Sequence, residues 1–179
     1  MKIKIILLQV ALVLSCNLYA QDTSLVHRNH SASIEIVGIT YNFENPIALK
    51  STLIVRCGLQ GGIGYSSSFG SNYYYAVSPA ISIEPRFYYN INKRYRRGKL
   101  ITGNSASFIS LSSWYIFNPI YEHNVSCNSF FVVTPQWGVR KIYWHHLLLE
   151  AGLGISYFFD THGNDDLGIM MNLRIGYSF

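Results

Sequence analysis

The chain has 179 residues, of which 49% are hydrophobic, 15% aromatic and 13% charged. The charged share is about half of the roughly 25% found in an average soluble domain. After the N-terminus, no window reaches the ~18 consecutive apolar residues that a membrane-spanning helix needs. This composition argues against a disordered chain, a nucleic-acid-binding domain and a helical membrane protein. With 14 tyrosines, 14 glycines and only 5 prolines, it is typical of an all-β protein.

The first residues predict export. Lys2 and Lys4 lie near the start of the chain, an apolar stretch follows, and Ala20 is the expected last residue before cleavage. We therefore predict a signal peptide over 1–20 and one mature domain over 21–179. The alternative is a lipoprotein signal that would lipidate Cys16, but the bulky Leu14 matches that signal poorly.

Removal of the signal changes the charge and the cysteine content. The formal net charge falls from +5 to +3, because two lysines are lost and 12 basic residues remain against 9 acidic ones. Cys57 lies in a predicted strand and Cys127 in a predicted loop, so we expect two unpaired thiols. No Cys-x-x-Cys motif or cluster of His and Cys is present, and we expect neither a structural metal nor a cofactor.

Alternation with a period of two predicts the strands, because successive side chains of a strand point to opposite faces. Over 76–92 one face is wholly apolar and the other is small or polar, and 167–179 alternate as cleanly. If the strands close into a barrel, an eighth strand is expected within 22–32, since bacterial single-chain barrels have an even number of strands. The pattern itself predicts seven strands, at 33–43, 49–65, 76–92, 105–117, 129–140, 146–159 and 167–179.

Three features favour an eight-stranded antiparallel transmembrane β-barrel over a soluble sandwich. The predicted strands run about 11 to 17 residues, beyond the ~5 to 6 that are usual in globular sheets. Aromatic residues cluster at the strand ends, as interfacial girdles do. The faces opposite the apolar stripes carry ionisable groups that a sandwich core could not bury cheaply. These predicted interior charges are Arg56, Glu84, Arg86, Arg140, Glu150 and Arg174.

The lengths of the connections predict an orientation. The short connections 44–48 and 141–145 are expected in the periplasm, and the longer polar ones on the exterior, which places the C-terminus in the periplasm. The basic turn would then be periplasmic, either solvated or in contact with acidic phospholipid headgroups. The longer connections are 66–72, 118–128 and 160–166, and the basic turn comprises Lys93, Arg94, Arg96, Arg97 and Lys99.

The last strand ends in alternating apolar residues, namely Met171, Leu173, Ile175, Tyr177 and Phe179. This ending resembles the C-terminal signal that the barrel-assembly machinery reads in small outer-membrane β-barrel proteins of Gram-negative bacteria. Residues 84–90 and 105–111 are similar to a subgroup of that family that is mostly of undefined function. The resemblance covers the mature chain. It implies a monomeric barrel in the cell outer membrane, with membrane lipids, lipopolysaccharide and the assembly machinery as partners, and it assigns no catalytic residue.

Three functions stay open at this point. We favour a structural or surface-interaction barrel without catalytic activity, whose interior is filled by paired charges and whose loops contact lipopolysaccharide or extracellular ligands. A narrow channel would instead use the interior charges as a selectivity ring. A lipid A-modifying hydrolase would resemble deacylases of the same class, which carry His and Ser two residues apart on one strand face. The candidates for such a pair fit that spacing poorly; they are His30 with Ser31, His123 with Ser126, and His145 and His146 near Glu150. His162 and Asp165 could instead bind a metal, but one His with one acid is a weak signal for a metal site.

Overall fold

The computed structural model describes residues 25–66, 72–124, 127–160 and 165–179. The predicted signal peptide, Cys16, Ser126 and His162 lie outside these residues. Within the described ranges, no helix is both long and apolar enough to cross a membrane. The elements in chain order are β1 (Asn29–Glu35), β2 (Gly38–Ala48), β3 (Ser51–Ser66), β4 (Asn72–Phe87), α1 (Ile91–Arg96), a 3-10 turn (Thr102–Asn104), β5 (Ser107–Ile116), β6 (Tyr121–His123), β7 (Phe130–Tyr143), β8 (Leu147–Asp160) and β9 (Asp165–Ser178).

Eight of the strands form one antiparallel ring, which confirms the all-β prediction and the predicted number of ring strands. The order is β3-β2-β1-β9-β8-β7-β5-β4, and β3 pairs with β4 to close it. The first and last strands of the ring pair with each other, β1 with β9, from Ser31 opposite Ser178 to Glu35 opposite Arg174. The short strand β6 lies outside the ring and pairs with β4 at Tyr75–Val77.

The predicted strand 33–43 is wrong, because a tight turn at 36–37 divides it between β1 and β2. Ile34 lies opposite Ile39 across that turn, so inward-facing residues are odd-numbered in β1 and even-numbered in β2. The single-strand interpretation therefore mixed two faces. The predicted short turn 44–48 is likewise wrong, since these residues continue β2, and the chain reverses at 49–50 instead. The eighth strand begins at Asn29, inside the range expected for it, and extends to Glu35.

Two further boundaries differ from the prediction. The strand predicted over 76–92 begins four residues earlier, at Asn72, and ends at Phe87. After Phe87 the chain leaves the ring and continues into α1, and Tyr88 and Ile91 are fully buried. The predicted loop 118–128 contains β6. The remaining strands agree with the prediction to within about three residues at each end.

The ring is polar inside and apolar outside. Most inward positions along the strands are buried polar or charged residues (Ser, Thr, Asn, Gln, Arg and Glu), and the others are buried apolar side chains such as Ile54, Trp114 and Val132. Outward positions are exposed Ile, Leu, Val, Met and aromatic side chains, of which Ile169 is 84% exposed and Leu167 65%. Both sets follow from the same period-two pattern, because each strand presents alternate residues to the two sides of the sheet.

Exposed charges sort to the two ends of the ring. One end, which we call the basic end, contains the turn at 49–50, the connection 88–106 and the turn at 144–146, together with the start of β1 and the end of β9. The acidic end carries the other connections, and its described residues include no Lys or Arg. The charged side chains at the basic end are Arg28, Lys50, Lys93, Arg94, Arg96, Arg97, Lys99 and Lys141, whereas Glu122, Asp165 and Asp166 belong to the acidic end.

Candidate functional site

The six predicted interior charges are all buried and meet in one network around Glu150 on β8. Arg86 reaches Glu150 from β4 across the ring and forms a two-pronged ion pair, with Nη1–Oε2 and Nη2–Oε1 distances of 2.8 and 2.9 Å. Arg140 of β7 donates Nε to Glu150 Oε2 at 2.8 Å, and Arg174 of β9 donates Nη1 to Oε1 at 2.7 Å. One carboxylate thus binds three guanidinium groups from three strands.

A second carboxylate, Glu84, extends the network to β3. It accepts Arg56 Nη1 at 2.6 Å and Arg86 Nε at 2.8 Å. Arg86 therefore bridges two buried glutamates, and its guanidinium carbon lies 3.6 Å from the ring centroid of Phe108 on β5. This geometry suits a planar guanidinium, which forms parallel hydrogen bonds at its edge while it stacks on an aromatic face.

Two members of the network, Glu35 and Glu44, were missed by the sequence prediction. Glu44 is an ion-pair partner of Arg140 and also accepts hydrogen bonds from the hydroxyls of Thr52 and Tyr88, at 2.6 and 2.8 Å. Glu44 shares the inward even-numbered face of β2 with the buried Thr40 and Asn42. Continuation of that alternation through residue 44 was the signal that could have identified it.

Glu35 connects the network to the pairing of β1 with β9, which we call the seam. Its Oε1 accepts Arg174 Nε at 2.9 Å and Thr40 Oγ1 at 3.0 Å, and its Oε2 accepts Gln60 Nε2 at 3.2 Å. Glu35 is the last residue of β1. Its inward direction becomes visible in the sequence only once the turn at 36–37 is recognised.

The complete network is electrically neutral and touches every strand of the ring. Its four arginines and four glutamates come from seven strands, and the eighth, β5, contributes the phenyl ring beneath Arg86. A buried charge must be paired and hydrogen-bonded to be tolerated, and here each carboxylate contacts at least one guanidinium. Within the network, the buried side-chain atoms that have no hydrogen-bond partner are all guanidinium donors: Arg56 Nε and Nη2 and Arg174 Nη2.

Apolar clusters lie on both sides of this charged layer inside the ring. Toward the basic end, Tyr88, Ile91 and Phe108 pack with Val26 and Ala106. Toward the acidic end, buried Ala80, Trp114 and Val132 form a second cluster, against which Ile116, Phe130, Phe158 and Met170 pack. The arginines and glutamates therefore lie between two apolar layers, where the pairs are shielded from solvent and their interaction is strengthened.

The predicted C-terminal assembly residues lie on the outer face of β9 and just beyond it. Met171, Leu173, Ile175, Tyr177 and Phe179 are between 44% and 71% exposed. The backbone N–H of Phe179 donates to the carbonyl of His30, and Ser178 Oγ donates to Asn29 Oδ1 at 2.7 Å. The hydrogen bonds of Ser178 and Phe179 therefore hold the end of β9 against the start of β1, where the ring closes.

The predicted basic turn is a short helix followed by a reversal. Lys93, Arg94 and Arg96 lie in α1, whereas Arg97 and Lys99 follow it, with Gly98 in a left-handed conformation (φ +64°) between them. Together with Tyr89 and Asn90, four of the five basic residues line a cavity of about 320 Å³; they are Lys93, Arg94, Arg97 and Lys99.

Among the described residues that were considered for a Ser–His hydrolase, His30 and Ser31 point to opposite sides of the sheet, and His146 contacts the end of β9. His30 faces outward, where Nδ1 lies 2.9 Å from the Tyr41 hydroxyl, whereas Ser31 is buried. His146 stacks on Tyr177, and its Nδ1 lies 3.0 Å from the backbone carbonyl oxygen of Ser178.

Cys57 and Cys127 are both free thiols, as predicted, and Cys57 is exposed on the outer face of β3. Among the residues that the structure describes, no three His, Cys, Asp or Glu side chains are grouped so that they could hold a metal ion. Comparisons with protein-family models, with curated proteins and with solved structures found no match to this chain.

Proposed function

We propose that this protein is a small outer-membrane β-barrel with a structural or surface-interaction role. The observation that carries the proposal is the inversion of the usual burial pattern: seven buried charges and the largely buried Glu35 fill the inside, and the outer face of the ring is apolar. A monomeric protein in water rarely exposes contiguous apolar patches above ~300–600 Å². A lipid environment removes that cost, because the outward side chains then face hydrocarbon.

The height of the apolar face matches a membrane. On β9 the outward residues run from Leu167 to Tyr177, ten residue steps along the strand. At ~3.3 Å per residue this is roughly 33 Å of strand, and a tilt of ~40° from the ring axis reduces it to roughly 25 Å. Apolar bands of transmembrane barrels are ~25 Å tall.

The apolar face also continues around the ring. Outward apolar residues lie directly opposite one another across neighbouring strands, as Ile34 does with both Ile39 and Ile175. Other such pairs are Ile39 with Leu59, Leu59 with Pro79, Ile81 with Tyr115, Tyr115 with Phe131, Phe131 with Phe159, and Leu153 with Met171. A single interface with another protein would need an apolar patch on one side, whereas a lipid surface needs a closed belt.

The sorting of exposed charges supports an orientation. With the basic end in the periplasm, the long connections and Glu122, Asp165 and Asp166 face the exterior. Carboxylates there can share divalent cations with the phosphates of lipopolysaccharide. Surface interaction through this end is therefore the role that we favour.

The interior fits a channel less well. A selectivity ring uses charges of one sign that remain available to a passing ion, whereas these arginines and glutamates neutralise each other. The two apolar clusters lie above and below the ion pairs. This arrangement favours a packed core that holds the strands together.

The free thiols provide the test. Cys57 lies on the outer face of β3, opposite Tyr41 on β2, whereas Cys127 lies in the connection before β7 at the acidic end. We would express the full chain with either cysteine replaced by serine in a Gram-negative host and treat the outer-membrane fraction with a charged maleimide. We expect Cys127 to react and Cys57 to react only after the protein is unfolded in hot SDS.

Migration on SDS gels gives an independent readout from the same samples. A closed barrel should run as a compact band without heating and shift on boiling. Equal modification of both cysteines before unfolding, or recovery of the protein in the soluble periplasmic fraction, would refute the membrane placement.

A further inference from the structure

A strongly basic cavity lies at the basic end, where β4 passes into α1. It has a volume of about 320 Å³ and is lined by Tyr89, Asn90, Lys93, Arg94, Arg97 and Lys99. Arg94 is held in place by a hydrogen bond from Nη2 to the carbonyl of Leu100, at 3.0 Å. Its buried Nε has no hydrogen-bond partner.

Among the residues that the structure describes, no carboxylate balances the positive charge of this cavity. Every Asp and Glu of the described residues belongs to the interior network or to the acidic end. The ion pairs of the described Asp and Glu side chains do not involve Lys93, Arg94, Arg97 or Lys99. Four cations around one cavity, without a carboxylate, create a positive potential that an anion would relieve.

The cavity also lies at the edge of the apolar outer face. Tyr89 lines it and is 42% exposed, and its hydroxyl accepts a hydrogen bond from the indole nitrogen of Trp137 at 2.9 Å. Trp137 is itself 52% exposed and continues into the outward row of β7. Tyr95 and Leu100, beside the cavity in sequence, are 60% and 69% exposed. Cations therefore adjoin an aromatic and aliphatic surface.

We propose that this cavity binds the anionic headgroup of a glycerophospholipid, whose acyl chains lie along the outer apolar face. The phosphate accepts hydrogen bonds from the lysine and arginine donors, and Tyr89 and Trp137 contact the glycerol region, where amphipathic rings are favoured. A free phosphate ion would use the cations alone and would gain nothing from the adjoining apolar surface. The inference rests on the proposed membrane location and adds one defined lipid site to it.

The test uses full-length protein expressed in a Gram-negative host, extracted from outer membranes and freed of lipid in a neutral detergent. Dioleoyl phosphatidylglycerol and dioleoyl phosphatidylcholine are titrated separately, and bound lipid is counted by native mass spectrometry. Lys93→Gln/Arg97→Gln removes two cavity cations. Arg28→Gln/Lys50→Gln is the matched control, because it removes the same charge at the same end from residues that do not line the cavity.

We expect the wild type to bind phosphatidylglycerol in preference to phosphatidylcholine. The cavity variant should bind phosphatidylglycerol about 25-fold more weakly, which is about fivefold per basic residue, and the control should bind it like the wild type. Equal affinity for both lipids, equal weakening in both variants, or displacement of the lipid by millimolar inorganic phosphate would overturn the inference. The heat-induced gel shift of each variant separates this result from failure of the barrel itself, since an intact shift with no lipid preference removes only the lipid site.

Discussion

Neutralising Glu150 should destabilise the folded chain more than any exposed substitution of the same kind. Glu150 accepts hydrogen bonds from Arg86, Arg140 and Arg174, and its side chain is buried. Glu150→Gln keeps the size of the side chain but removes its negative charge. The interior would then hold four arginines and three glutamates, with one positive charge left uncompensated.

The expected magnitude follows from that imbalance. Removal of one partner from a buried ion pair costs about 3–5 kcal/mol, because the remaining charge stays buried without compensation. With a denaturant slope of about 1–3 kcal/mol per M of urea, the unfolding midpoint should fall by at least about 1 M. Glu122→Gln at the acidic end is the matched control; it replaces an exposed carboxylate and should change stability by about 0.5 kcal/mol or less.

The assay is reversible urea unfolding of the purified protein in detergent micelles, followed by tryptophan fluorescence and by the gel shift. The double variant Glu150→Gln/Arg174→Gln restores neutrality, and Glu35 keeps hydrogen bonds from Thr40 and Gln60 in it. Its loss of stability should therefore be smaller than the sum of the two single losses. If Glu150→Gln unfolds at the same urea concentration as Glu122→Gln, the ion-pair network does not stabilise the ring and the reasoning fails.

Three further predictions concern geometry rather than net charge. Arg86→Lys keeps the positive charge but loses the two-pronged pair with Glu150 and the stacking on the phenyl ring, so the free energy of unfolding in urea should fall by about 1–3 kcal/mol. Gly58→Ala should prevent formation of the heat-modifiable band, because a Cβ at this position would lie 2.0 Å from a backbone carbonyl oxygen of β2. Gly62→Ala in the same strand is the control, since a Cβ there would meet no atom within 4 Å, and this variant should assemble normally. Deletion of Phe179 removes the backbone hydrogen bond to His30 where β9 pairs with β1 and the last residue of the proposed assembly signal. The amount of protein in the outer membrane should therefore fall while transcript levels stay unchanged. A normal amount of protein there would contradict the assembly role of Phe179.

The extent to which the fold was predictable depended on where the alternation of faces was clean. In β8 and β9 every second residue is apolar, and the predicted boundaries fall within two residues of those observed. Between Ser33 and Phe43 the alternation changes face at the turn 36–37. The turn consists of Ile36 and Val37 rather than of glycine, proline or asparagine. Its residues therefore gave no local signal of a reversal.

The same limitation decided which parts of the site were found. Arg56, Glu84 and Arg174 lie in long strands in which a period of two predominates, with Ile54 as the exception beside Arg56, so their inward direction could be inferred without a structure. Glu35 and Glu44 lie on β1 and β2, the two strands whose boundaries were predicted wrongly. Which guanidinium meets which carboxylate was beyond any sequence pattern, since Arg86 and Glu150 are 64 residues apart and meet across the ring.

The position of Glu35 indicates what the network contributes to the ring as a whole. The seam between β1 and β9 is the shortest ladder in the ring, since it extends only from Ser31 to Glu35. Each end of that seam carries a side-chain bond, from Ser178 to Asn29 at one end and from Arg174 to Glu35 at the other. Arg174 is also bound to Glu150, which connects the seam to β4 and β7 through their arginines. The network therefore couples the shortest backbone ladder to the opposite side of the ring. Apolar side chains of equal volume lack directional partners and would not provide this coupling.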